Sequence, residues 1–247
     1  LAGAMSPVSL AGAIAQQNAE ALFLVALAQI VCPGTPMVYG AFTSNVDMRT
    51  GSPAFGTPES VKAQLASGQM ARRYGLPWRS SNATAANVVD AQAAYESEMS
   101  VWGAVMGGVN LLYQGAGWLE GGLTASFEKL ILDAEILQMI REVLQPLPVD
   151  DASLGLDAIA EVGPGGHFFG TAHTLDRYET AFYRPILSDW RNFETWAADG
   201  SLTATQRANT IWKRLLAEAS PPPMDVAVRE ALDDFVERRT REIARSA

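Results

Sequence analysis

Pro36-Met37-Val38-Tyr39-Gly40-Ala41-Phe42 is an apolar run of strand length with no polar alternation. That pattern suits a strand buried on both faces, as in a parallel sheet. Upstream, Ser6-Pro7 reads as a cap followed by proline at the first helical position, opening an Ala-rich helix that Cys32-Pro33-Gly34 stops. Downstream, a polar loop over 43–56 leads to Thr57-Pro58, the same cap-then-proline signal. The helix opened there ends at Tyr74-Gly75-Leu76-Pro77, with glycine just past the last turn and proline beyond it.

The alternation continues. Residues 78–81 form a second strand candidate, 85–106 a helix, and Val109-Asn110-Leu111-Leu112-Tyr113 a third strand. A Gly-rich loop over 114–122 precedes an amphipathic helix whose apolar face carries Phe127, Leu130, Ile131, Ala134, Leu137 and Ile140. Leu1-Ala2-Gly3-Ala4 reads as the tail of a fourth strand entered midway, a first hint of a truncated chain. Repeated βα units imply an α/β fold with a parallel sheet, and four units are half of an eight-fold barrel. A small doubly wound sheet shares the alternation, so periodicity alone leaves both open.

After Pro146-Leu147-Pro148 the character changes. The expected division is 1–146 as the second half of a (βα)8 barrel and 147–247 as a helical extension packed on it. Within the extension, 151–162 and 171–183 read as helices and 190–196 as an irregular aromatic stretch. Thr203 and Gln206 form a capping-box pattern opening a further helix. A last charged helix runs to the C-terminus with i,i+4 pairs at Asp234/Arg238 and Glu237/Arg241.

Composition sets limits. Of 247 residues 48% are hydrophobic and 18% charged, so a sizeable core is available. A net charge of −9 argues against a nucleic-acid partner, which needs clustered Lys and Arg. Cys32 is the single cysteine, so no intrachain disulfide forms, and with two histidines a zinc–thiolate site is nearly excluded. The apolar stretch over 19–32 is broken by Glu20 and Gln29 and too short for a membrane span. A cytoplasmic protein with no membrane association is expected.

Several segments together resemble the trimethylamine methyltransferase family, which includes glycine betaine methyltransferases. They are Gln16-Gln17-Asn18-Ala19-Glu20, Ser44-Asn45-Val46-Asp47-Met48-Arg49-Thr50-Gly51, Gly165-Gly166-His167-Phe168-Phe169-Gly170, and Tyr178 onward through Tyr183-Arg184-Pro185. Their order and spacing carry the likeness, which runs on into Ser188-Asp189-Trp190. Family members are roughly twice this length, which agrees with the C-terminal half of a (βα)8 TIM-type barrel. The resemblance implies methyl transfer from a methylated amine to the cobalt of a corrinoid carried by a separate cognate protein, with no cofactor held tightly by this chain. The family's founder carries pyrrolysine, expected here within 80–92, where only standard residues occur and no lysine. Lys62, Lys129 and Lys213 all fall in expected helices, which disfavours a Schiff-base barrel enzyme.

That absence has a chemical consequence. Demethylating a neutral amine would expel an amide anion, whereas a quaternary ammonium expels a neutral tertiary amine. A betaine is therefore the expected donor, and the protein's tasks reduce to holding a cation and aiming one methyl. A non-catalytic paralogue that binds a methylated amine is the competing reading.

Barrel sites lie at the C-terminal strand ends. Tyr39 and Phe42 fall near one such end, with Asn45 and Asp47 in the next loop; aromatic faces and a carboxylate suit a quaternary ammonium. Core filling for Tyr39 and a turn cap for Asp47 are the plain alternatives. Ser81 and Asn82 follow the second strand, Gln114 closes the third, and His167 with Phe168 lies in a Gly-rich turn able to reach a barrel mouth. Ordinary turn chemistry and packing explain each of these equally well. A half barrel leaves two open strand edges, which predicts a homo-oligomer.

Overall fold

The computed structural model describes residues 1–40 and 42–246. Ala41, within the first expected strand, and Ala247, at the end of the last expected helix, lie outside the described residues. The chain divides into two compact units, residues 1–212 and 213–247.

The first unit opens with α1 (Leu10–Val31), which starts at Ser9, three residues after the expected cap. At 22 residues α1 is long and apolar enough by composition to cross a bilayer, longer than the stretch counted from the sequence. It is nevertheless seated by polar contacts. Gln17 donates to the Ser67 hydroxyl (2.9 Å) and Asn18 to the Tyr74 hydroxyl (3.0 Å), which fixes one face of α1 on the neighbouring helix.

After β1 (Tyr39–Gly40), β2 (Asn45–Val46) and β3 (Pro53–Ala54) form an antiparallel pair inside the expected loop. Thr57 caps α2 (Pro58–Arg73) by accepting from the Ser60 N–H (3.2 Å), with Pro58 in the first turn, as read from the sequence. Gly75 beyond its end has φ +64°, a conformation glycine adopts without strain. β4 (Trp78–Ser81) falls on the expected residues. α3 (Ala91–Met106) begins six residues late because Asp90 provides the cap, accepting from Gln92 and Ala93 N–H groups. β5 (Leu111–Tyr113) follows. A hairpin of β6 (Trp118–Leu119) and β7 (Thr124–Ala125) then leads into α4 (Phe127–Val143).

The expected half of a (βα)8 barrel does not form. The described residues are mostly helical, and their parallel sheet has three strands in the order β1–β4–β5, open and not curled. Barrel closure needs strands long enough to tilt and shear in register, and these are two, four and three residues long. The supposed fourth strand contributes only isolated bridges from Ala2 to Ser6 and Asn45. The loops after β1 and β5 spend their backbone hydrogen bonds on two-stranded hairpins instead of extending the sheet. What survives is the parallel pairing, with Tyr39 opposite Trp78 and Arg79 opposite Leu111.

Trp78 is buried against Ala71 of α2, while Arg79 projects to the other face by the alternation of a strand. α2 and α3 approach so closely that a Cβ on Gly68 would lie 2.0 Å from the Gly107 carbonyl oxygen. Arg72 donates to that carbonyl (2.5 Å), closing the C-terminus of α3 with a cation, where the helix dipole favours one. α4 departs from its expected stripe. Ile131, Ile136 and Ile140 are buried, but so are Lys129, Asp133 and Glu135, while Phe127 and Leu130 stay exposed.

The rest of the first unit is short helices. Gly155 (φ +59°) splits the expected helix over 151–162 into α5 (Asp151–Leu154) and α6 (Leu156–Val162). Only α7 (Ala172–Leu175) forms within 171–183, and α8 (Phe193–Ala198) forms where irregular structure was expected. Glu135 ties this region to α4 by accepting from the Ile186, Leu187 and Ser188 N–H groups. Thr203 and Gln206 close the expected capping box at the start of α9 (Ala204–Glu218), which runs across the division between the units. In the second unit, α10 (Val226–Ser246) carries the expected Glu237–Arg241 pair at 2.6 Å, while Arg238 lies over the Phe235 ring.

Candidate functional site

The C-terminal ends of the parallel strands gather buried polar residues: Ser44 after β1, and Ser80, Ser81, Asn82 and Thr84 at and after β4. Buried polar groups need partners: Ser44 and Asn82 donate to the Ala54 and Gly115 carbonyls, and carboxylates of α3 and α4 hold the loops that follow. Glu96 accepts from the Thr84 hydroxyl and from the Ala85 (2.8 Å) and Ala86 (3.1 Å) N–H groups, while its other oxygen takes the Gln92 amide (2.8 Å). One side chain thus fixes the segment leaving β4. Gly56 (φ +66°) lets the chain before α2 press on the same point, since a Cβ there would lie 2.5 Å from the Glu96 backbone.

The loop leaving β5 is held the same way. Asp133 accepts from the Gly117 N–H (2.8 Å) and pairs with Lys129 at 2.5 Å; the Lys129 ammonium also donates to Ser97 (2.7 Å). Burial lowers the Lys129 pKa, and the charges of Asp133 and Glu96 oppose that shift. The two loops are then joined to each other, Glu120 N–H to the Ala86 carbonyl (3.0 Å) and Gly121 N–H to the Thr84 carbonyl (2.8 Å). Asn82 reaches across to the Gly115 carbonyl (2.9 Å) and keeps its own buried amide oxygen unpartnered. Gln114 adopts φ +55°, a strained conformation for a non-glycine residue and one that concentrates at functional sites.

Two spaces open at these strand ends. A small cavity lined by Phe42, Ser44, Phe55, Ser80, Ser81 and Ser100 measures ≈ 20 Å³, room for about one water. A groove of ≈ 440 Å³ lies beside it, lined by Gln16, Gln17 and Glu20 of α1 together with Phe42, Thr43 and Arg79. Only the groove lies in the range of small-molecule sites. Phe42 borders both spaces and packs on Phe55, ring centroids 5.2 Å apart.

The expected site residues divide accordingly. Phe42 and Ser81 line the cavity, and Asn82 bridges to the residue after Gln114. Tyr39 lies in the core beneath, its hydroxyl donating to Asn18 (3.1 Å); burial raises its pKa. Asn45 accepts from the Thr57 hydroxyl (2.9 Å) next to the α2 cap. Asp47 caps its own turn, where the Arg49 N–H and the Thr50 hydroxyl hold its carboxyl below the usual range. His167 is exposed against Phe169, and Phe168 contributes its carbonyl to the Thr171 cap; neither lines the cavity or the groove.

Glu96, Asp133, Glu20 and Arg79 were not proposed as site residues from the sequence, and Lys129 was set aside there as a helix lysine. Lys129 and Asp133 did carry a signal: spaced i,i+4, they share the inward side of α4 with the buried isoleucines. Among the described residues no group of three or more His, Cys, Asp or Glu side chains is placed to hold a metal ion.

Comparison with known proteins agrees with the resemblance read from the sequence. The chain is 40% identical over 244 residues to a glycine betaine methyltransferase of Desulfitobacterium hafniense strain Y51, covering 98% of this chain and 51% of that protein. It is 34% identical to a trimethylamine methyltransferase of Methanosarcina mazei, covering 98% of this chain and 48% of that one. A trimethylamine methyltransferase of Methanosarcina barkeri is 32% identical over 239 residues. The chain therefore spans about half the length of the curated relatives it matches. The family model described as trimethylamine methyltransferase matches residues 1–244. This chain belongs to the trimethylamine methyltransferase family.

Proposed function

We propose that this chain takes part in methyl transfer from a quaternary methylated amine, such as a betaine, to the cobalt of a corrinoid on a separate protein. The observation that carries this reading is the 40% identity along nearly the whole chain to a protein named glycine betaine methyltransferase.

The groove supplies what such a reaction asks of the protein. Its ≈ 440 Å³ accepts a small amine, the Phe42 ring in its wall can attract a cation, and Glu20 adds an opposite charge. Ser81, Asn82 and Gln114 border the adjoining strand ends, on loops that Glu96 and Asp133 hold rigid. In the transfer the N–C bond breaks with its electron pair staying on nitrogen, which departs as a neutral tertiary amine. The methyl carbon bonds to the cobalt, whose reduced form supplies the new pair. No proton has to move, so the groove's Glu20 and Arg79 serve by their charge and not as acid or base.

The methyl acceptor arrives from outside, so the groove has to open to a protein surface. A cytoplasmic, reducing setting suits both the Cys32 thiol and a reduced cobalt centre. Self-association would cover the open edges at β1 and β5.

Incubating the purified chain with free cob(I)alamin and each candidate amine tests the reaction. Loss of the cob(I)alamin absorbance is expected with glycine betaine and at most slowly with trimethylamine. Transfer from trimethylamine with none from glycine betaine, or transfer from neither, would overturn the reading.

A further inference from the structure

Arg79 lines the groove, and holding a cation gives it no role. It leaves β4 on the sheet face away from Trp78, is only half-buried, and takes part in none of the ion pairs among the described residues. Its guanidinium lies over the Tyr113 ring of β5, 4.7 Å from the centroid. An arginine over an aromatic face can still give its N–H edge to a carboxylate through two parallel hydrogen bonds.

The groove that Arg79 lines also contains Glu20 and the Phe42 ring. A bare ammonium would use only the acid and the ring and would be repelled by the guanidinium. A zwitterion uses all three.

We propose that Arg79 binds the carboxylate of the methyl donor, so that the groove selects quaternary ammonium acids over ammonium compounds without a carboxylate. This rests on the methyl-transfer reading for the ligand's cationic end, and it assigns the specificity of the same groove. Loss of a charge-assisted bidentate pair weakens binding by on the order of 30-fold, while a ligand lacking the carboxylate gains nothing from Arg79.

Calorimetric titration of the whole chain tests this with three ligands: glycine betaine, its methyl ester and tetramethylammonium. The native chain is expected to bind glycine betaine at least on the order of 10-fold more tightly than the other two. Arg79→Met should abolish that preference and bind tetramethylammonium at least as tightly as the native chain does, and Arg79→Lys should retain part of the preference. Equal binding of glycine betaine and its ester by the native chain would overturn the proposal even if Arg79→Met failed to fold. So would a folded Arg79→Met that keeps the preference. Selective, Arg79-dependent binding without any methyl transfer would instead refute the proposed reaction and leave this assignment standing.

Discussion

Lys129→Met is expected to lose about 3–5 kcal/mol of folding stability, read as a shift in the urea midpoint. Lys129 is 1% exposed and its ammonium donates to both Asp133 oxygens and to Ser97. Methionine fills much the same volume, so lost packing is a minor part of the effect. The large term is Asp133, left as a buried carboxylate without its cation and with one remaining donor, the Gly117 N–H. Removing both charges in Lys129→Met/Asp133→Leu should recover part of the loss. Recovery is incomplete because the Gly117 N–H then has no acceptor, which costs about 1–3 kcal/mol. A single variant within about 1 kcal/mol of the parent, or a double variant worse than the single, would mean the pair does not hold the β5 loop.

Glu96→Ala is expected to lose about 2–4 kcal/mol, because it strands the Ala85 N–H and the Thr84 hydroxyl and leaves the Ala86 N–H only the Thr84 oxygen. Its effect on ligand binding should be larger than a general loss of stability explains, since those three residues begin two positions after Asn82. At a temperature where both proteins are folded, the variant should bind glycine betaine at least about 10-fold more weakly, a 1.4 kcal/mol change. Glu96→Gln should fall between, since one amide oxygen replaces an acceptor while its NH2 faces the Gln92 amide, a donor against a donor. Unchanged binding in folded Glu96→Ala would show that this clamp is structural only.

Local signals proved readable where one residue determines the geometry. Thr57-Pro58 caps α2, Gly75 ends it in a left-handed turn, β4 spans the expected four residues, and Thr203 with Gln206 closes its box. Barrel closure was not readable in this way. It depends on how far each strand extends and on what the loops pair with, and an alternation of apolar runs reports neither. Residues 45–46 and 53–54 look like loop but pair with each other, and that pairing takes the backbone groups a longer sheet would need.

The site shows the same division. Phe42, Ser81 and Asn82 could be proposed because position at a strand end is a sequence-order property. Glu96 could not, because a charged residue on a helix ordinarily faces water, and the same default hid Lys129 although its spacing to Asp133 marked the inward side of α4. Their burial follows from the loops that fold over them. Asp47 illustrates the converse: its loop position was read correctly, but its carboxylate is taken up by its own turn.

The account depends most on the groove between α1 and the ends of β1 and β4 being where the methylated amine sits. A crystal structure of the chain soaked with glycine betaine tests this most directly. The trimethylammonium group is predicted against the Phe42 ring, with Glu20 as its nearest carboxylate. Density for the ligand elsewhere would contradict the account, for instance in the ≈ 530 Å³ cleft lined by Asp157, His173 and Arg177. A groove that stays empty at saturating ligand would contradict it equally.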